Sequence, residues 1–196
     1  MLASALLLSQ MVIEAQEIPA EDFHAVMEEK YPEYKREVIT VTTEDGYILP
    51  LFHIWKEGVS GTKQPVMFQH GGSMDGTSWL TTWEQPAVAI QMVDDGHHAY
   101  IGNNRGTPNA YGHTTLDPIL DAEKYWDFSF DEMSYDALAN VQAMHESAGQ
   151  KGTYFGYSRG TAQMFVALSK WESEIAEFVN KVVMMAPCSV PDFDYF

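Results

Sequence analysis

Residues 156–160 read Gly156-Tyr157-Ser158-Arg159-Gly160, a serine between two glycines at spacing two. Before it runs GTYFGY (152–157), short, apolar and rich in β-formers. After it runs TAQMFVALSK (161–170), apolar at helical intervals. Strand, sharp turn and helix make the context in which a G-x-S-x-G element lifts a serine hydroxyl above a sheet. The helix N-terminus behind it favours negative charge. Gly156 and Gly160 have no Cβ, so strand and helix can close around the turn. The five-residue pattern alone is common, and serine is also a frequent helix N-cap. The flanking elements tip the reading toward a nucleophile.

Working outward, REVITVTTEDGYILPLFHIW (36–55) holds two β-rich runs around Asp45-Gly46, a hairpin signal. PVMFQHGG (65–72) is a short strand ending in glycines, residues 84–93 form a helix, and HHAYIGNNRG (97–106) is a strand running into a polar loop. Residues 105–124 read as a long irregular loop. FDEMSYDALANVQAMHESAG (130–149) reads as a helix with Tyr135, Leu138, Val141 and Met144 on its apolar face and Gly149 as its stop. FVNKVVMMAP (178–187) is a further strand. Alternating strands and helices predict an α/β fold with a mostly parallel sheet and an antiparallel hairpin at one edge.

The chain has 196 residues, 45% hydrophobic and 20% charged, which fits one globular domain. Eleven basic residues against 28 acidic ones give a formal charge of −17. That balance argues against nucleic acid and anionic membranes, and leaves neutral lipids and esters open as partners. Neither a kinase nor a P-loop phosphate motif occurs. Cys188 is the one cysteine, so no intrachain disulfide forms, and it reads as a small buried residue after a strand. The apolar start MLASALLLSQMVIEAQ reads as a candidate signal peptide over 1–15, without the usual basic residues. The competing reading is a short helix packed on the domain. The first leaves residues 16–196 as the folded domain, in a secretory or lysosomal-type lumen; a subunit of an organellar complex is the alternative.

His70-Gly71-Gly72 ends an earlier strand. An oxyanion hole in this architecture takes one amide from the residue after the nucleophile, here Arg159, and one from such a loop, for which Gly72 is the candidate. The pieces TEDGYIL (43–49), FQHG (68–71), GNNRG (102–106), YWDFSFDEM (125–133), YDA (135–137) and GQKGTYFGYSRGT (149–161) occur in an order and spacing that resemble the acid lipase family, the gastric- and lysosomal-type lipases of α/β-hydrolase fold. The resemblance covers about residues 36–188. It implies hydrolysis of neutral lipid esters, triacylglycerols or sterol esters, with no metal or other cofactor. It implies Ser158 as nucleophile and the amides of Gly72 and Arg159 as oxyanion donors. The family's elbow carries His and Gln where Tyr157 and Arg159 stand, and a bulky residue where Gly72 stands.

A serine hydroxyl needs a base, and in this fold the chain order is Ser, acid, His. The seven histidines, His24, His53, His70, His97, His98, His113 and His145, all precede Ser158. His70 is the nearest and is expected to hold the oxyanion loop. The expectation is therefore an α/β-hydrolase core cut before its lid and last strands, with the Asp and His outside the chain. The rival reading is a catalytically incomplete lipase fold serving as an accessory subunit, with a protein partner over its C-terminal edge.

Overall fold

The computed structural model describes residues 20–81 and 86–188. The candidate signal peptide, the start of the helix expected over 84–93 and the terminal PDFDYF lie outside them. Seven strands form one sheet: β1 (Lys35–Thr42), β2 (Tyr47–Trp55), β3 (Val66–Gln69), β4 (Ala99–Gly102), β5 (Gly112–His113), β6 (Gly152–Tyr157) and β7 (Val179–Met185). Their order is β1-β2-β4-β3-β6-β7, with β5 beside β2. Strands β4, β3, β6 and β7 are parallel, and β1 and β2 are antiparallel at one edge. This is the expected α/β-hydrolase core. The hairpin turns at Gly46, whose φ of +99° suits glycine.

Helices α1 (Glu21–Lys30) and α2 (Val88–Asp94) cover one face, while α4 (Phe130–Ala148) and α5 (Arg159–Phe178) cover the other. The period-two alternation of a strand divides the core between them. Val66, Phe68, Ala99 and Ile101 point to the α1 side, where Phe23 stacks on Phe52 at 4.1 Å. Met67, Tyr100 and Tyr154 point to the α4 side with Val141, Met144 and Met164. α1 has no counterpart in the sequence reading. Within the loop expected over 105–124, β5 pairs with β2, and a short helix α3 (Ala122–Tyr125) follows at its end.

α4 begins where the sequence places it. Ser129 and Glu132 form a reciprocal capping box, and Gly149 ends the helix at φ +66°. Its buried face differs from the expected one. Val141 and Met144 are buried, but Met133, Asp136, Ala137 and Asn140 are buried in place of Tyr135 and Leu138. Two polar residues turn the helix, because their partners lie at the end of β3 (Gln69) and on the loop after β4 (Arg105).

Asp136 accepts from the Arg105 amide (2.9 Å) and from its Nε (2.8 Å). The other end of the guanidinium grips Asp45 in the hairpin turn, at 2.6 and 2.9 Å, and its plane lies 3.9 Å from the centre of the Tyr47 ring. Arg105 is 2% exposed and Asp136 fully buried. Removing one member of a buried pair strands the other charge. Arg105→Met is therefore expected to lower the unfolding free energy by about 3–5 kcal/mol. Lys170→Ala, which removes the exposed pair with Asp131, is expected to cost less than about 1 kcal/mol. Urea unfolding curves measure both.

Candidate active site

The strand β6 ends at Tyr157 and α5 starts at Arg159, so Ser158 alone makes the turn. It has φ +48° and ψ −113°, a left-handed backbone that a side chain rarely adopts. Hydrogen bonds hold it there. Its N–H donates to the Met185 carbonyl at the end of β7 (2.9 Å), and its carbonyl accepts from the Thr161 N–H (2.8 Å) and Oγ1 (2.6 Å).

The glycines explain how the chain passes. A Cβ on Gly156 would stand 2.9 Å from the Gly160 carbonyl oxygen. A Cβ on Gly160 would stand 2.8 Å from the Gln69 oxygen and 3.0 Å from that of His70. The start of α5 thus rests on the end of β3 as well as on its own strand. A Cβ on Gly71 would lie 3.2 Å from the Ser158 Cβ, which puts the His70–Gly72 loop against the elbow. Gly72 itself faces open space, with nothing within 4 Å of a Cβ built there.

His70 is fully buried. Its Nε2 accepts from the Asn104 amide (3.1 Å), so Nδ1 carries the proton and donates to the Gly71 carbonyl (2.8 Å). Both nitrogens are engaged in holding the loop, as expected for this residue. Burial pushes the imidazole down to about 4. Asn104 also accepts from Gln69 Nε2 (2.6 Å) and Gln163 Nε2 (2.8 Å), and Asn103 accepts from the Gly76 amide (2.9 Å). These asparagines tie β3, the loop after it and α5 into one frame. Sequence reasoning gave them no role. The clue was the run NNRG at a strand end, since two amides and a guanidinium can stay there only if satisfied.

The Arg159 side chain is partly buried beside the elbow; burial lowers its basicity against the opposing charge of Asp136. The nearby Cys188 corrects an expectation. It is exposed, because β7 delivers the chain to the top of the elbow, and its N–H donates to Thr161 Oγ1 (2.8 Å). Its Sγ lies 3.9 Å from Ser158 Oγ. Among the described residues no histidine hydrogen-bonds to Ser158. His53 is held between Glu37 (2.8 Å) and His98 (2.7 Å), His97 by the Gln64 carbonyl (2.5 Å), and His113 by the hairpin turn.

Residues 29–83 match the family described as the partial alpha/beta-hydrolase lipase region. The chain is 35% identical over 161 residues to triacylglycerol lipase 2 of Arabidopsis thaliana, covering 79% of this chain and 38% of that protein. It is 34% identical over 160 residues to lipase member K of Homo sapiens, covering 79% and 39%. With lipase lipl-3 of Caenorhabditis elegans it shares 35% over 175 residues, covering 83% and 42%. The chain thus spans about two fifths of the length of these relatives. Brefeldin A esterase, a bacterial homologue of human hormone sensitive lipase, superposes with a TM-score of 0.51 at 20% identity, over 76% of this chain and 39% of that one. Oligopeptidase B from Trypanosoma brucei reaches 0.53 at 14%, over 80% and 21%. At these identities the two structures share the fold.

Two outcomes test this frame. Gly160→Ala is expected to destabilise the protein by about 2 kcal/mol or more, since its Cβ meets backbone, whereas Gly72→Ala is expected to change stability little; thermal unfolding separates them. The pH dependence has a fixed sign. Below about 6.5 an unfolded histidine takes up a proton that buried His70 refuses. The contribution of His70 to the unfolding free energy therefore falls as pH drops from about 6.5 toward 4, and levels once the folded state also binds the proton. His70→Gln is expected to make that acid slope shallower.

Proposed function

We propose that this chain, which is similar to lipases of α/β-hydrolase fold, carries the nucleophile half of a serine ester hydrolase acting on neutral lipid esters. The observation that supports this most is the backbone of Ser158. An ordinary N-cap serine has extended backbone and a hydroxyl bonded to the helix amides. Ser158 has the left-handed backbone, and its hydroxyl makes no cap hydrogen bond. A positive φ on a non-glycine residue, braced by two strands and a helix, is strain retained for a purpose.

In this reading Ser158 Oγ attacks the ester carbonyl and its proton passes to a histidine from chain beyond this one. The negative charge that develops on the carbonyl oxygen is held by the amides of Arg159, at the start of α5, and Gly72, on the loop that touches the elbow. Collapse of the tetrahedral species expels the alcohol and leaves the acyl group on Ser158. Water then attacks that ester and restores the serine. The open space at Gly72 suits a wide acyl chain. Triacylglycerols and sterol esters are the substrate class of this reading, the former in keeping with the name of triacylglycerol lipase 2, and both with a surface too acidic to favour anionic ligands.

The test uses the whole natural protein that contains this chain. It is expected to hydrolyse a triacylglycerol emulsion and to react covalently with a fluorophosphonate at Ser158. Ser158→Ala is expected to reduce hydrolysis to background and abolish labelling, with unfolding unchanged or slightly shifted. Hydrolysis that survives Ser158→Ala, or its absence from the whole protein, overturns the proposal; the latter result favours the accessory-subunit reading.

A further inference from the structure

The segment between β5 and α4 presents its apolar side chains to solvent. Ile119 is 83% exposed and Leu120 86% exposed, at the tip of a tight turn. Tyr111 and Trp126 stand behind them, edge to face at 5.9 Å, each 44% exposed. The turn itself is rigidly tied. One Asp117 carboxylate oxygen accepts from both the Ile119 and Leu120 amides at 2.8 Å, and the Asp117 amide donates to the Asp121 side chain at 2.9 Å. Trp126 Nε1 donates to the Pro118 carbonyl at 3.0 Å. The tip is therefore convex and apolar, with its local amide and indole donors already satisfied.

Its position in the fold is fixed by β5. That strand pairs with Tyr47 and Ile48 at the start of β2, and β2 runs antiparallel to β4. The start of β2 thus lies at the C-terminal end of the parallel strands, the end that carries Ser158 after β6. Met74 and Tyr157, each 38% exposed, extend the same apolar end around the elbow.

We propose that the Ile119–Leu120 tip, with Trp126 behind it, is an anchor that inserts into a neutral or zwitterionic lipid surface and seats the Ser158 end of the sheet on it. A protein groove would need a complementary shape; a lipid phase needs none, and it offers no hydrogen-bond partners, so only satisfied donors can enter it. Tryptophan with its indole N–H bonded and its ring half-exposed suits the headgroup level. Asp117, Asp121, Glu123 and Asp127 surround the tip, with Lys124 as the one nearby base, so an anionic surface would repel it. The proposal rests on the ester-hydrolase reading for its purpose, and not for its geometry.

The test measures partition of the protein, in its Ser158→Ala form, into phosphatidylcholine-coated triolein particles. Using that form separates anchoring from hydrolysis: partition without hydrolysis in the wild type would sink the enzyme reading and leave the anchor standing. Ile119→Ser with Leu120→Ser is expected to lower partition by about tenfold or more, with circular dichroism unchanged, since both side chains leave the fold for solvent. Brominated phosphatidylcholine is expected to quench tryptophan emission, and Trp126→Phe to remove most of that quenching. Adding phosphatidylserine is expected to weaken partition. Partition within about twofold of the parent in the double variant, quenching that survives Trp126→Phe, or tighter binding to anionic particles overturns the proposal. So does loss of a dimer by sedimentation velocity in the double variant with partition intact, which would make a second copy of the chain the occupant.

Discussion

The Arg105 guanidinium is the point on which the remaining geometry hangs. It is buried between Asp136 on α4 and Asp45 in the β1–β2 turn, with Tyr47 against its face. A charge in that position is tolerable only with every donor directed at a partner. Satisfying it sets three things together: the approach of the hairpin to the sheet, the rotation of α4, and the exit of the chain from β4. Asn103 and Asn104, its neighbours, then fix the loop after β3 and the first turns of α5. Buried polar bonds of this kind are directional, so they define one arrangement where apolar packing would accept several.

The strained serine inherits that order. Its left-handed backbone is held from β7, from Thr161 and by the close passage of Gly156 and Gly160. The His70–Gly72 loop in turn is held by His70 through Asn104. No single contact is strong, yet each removes a way for the elbow to relax into an ordinary N-cap. On the proposed function, preorganisation of this sort is what ester hydrolysis requires, because donors that must first reorient give up the benefit of being in place.

Much of this was legible in the sequence. The hairpin at Asp45-Gly46, the strand–elbow–helix around Ser158 and the stop at Gly149 are local signals, written in glycines and in apolar period, and they fall where they were read. The misreadings share a cause. The buried face of α4 is rotated because Asp136 and Asn140 answer to Arg105 and Gln69, partners remote in the chain. Cys188 is exposed because the course of β7 sets its surroundings. The loop over 105–124 gained a strand because β2 offered a free edge beyond β4. Helix α1, finally, is weakly amphipathic, with Phe23 and Met27 alone of its residues buried, so its pattern is faint.

Strand β3 has four residues and lies between β4 and β6. Its Val66-Met67-Phe68 core pairs on one side with a strand made soon after it, and on the other with one made much later. As the chain leaves the ribosome, the hairpin and β4 are available early, whereas the second flank of β3 stays open until the elbow itself has emerged. The centre of the sheet is therefore completed by its most distant contact, which is slow to form and leaves an apolar strand edge exposed meanwhile. The same residues that place Ser158 are the ones that close the fold, so during synthesis the molecule is most vulnerable to misassociation just before the elbow is set.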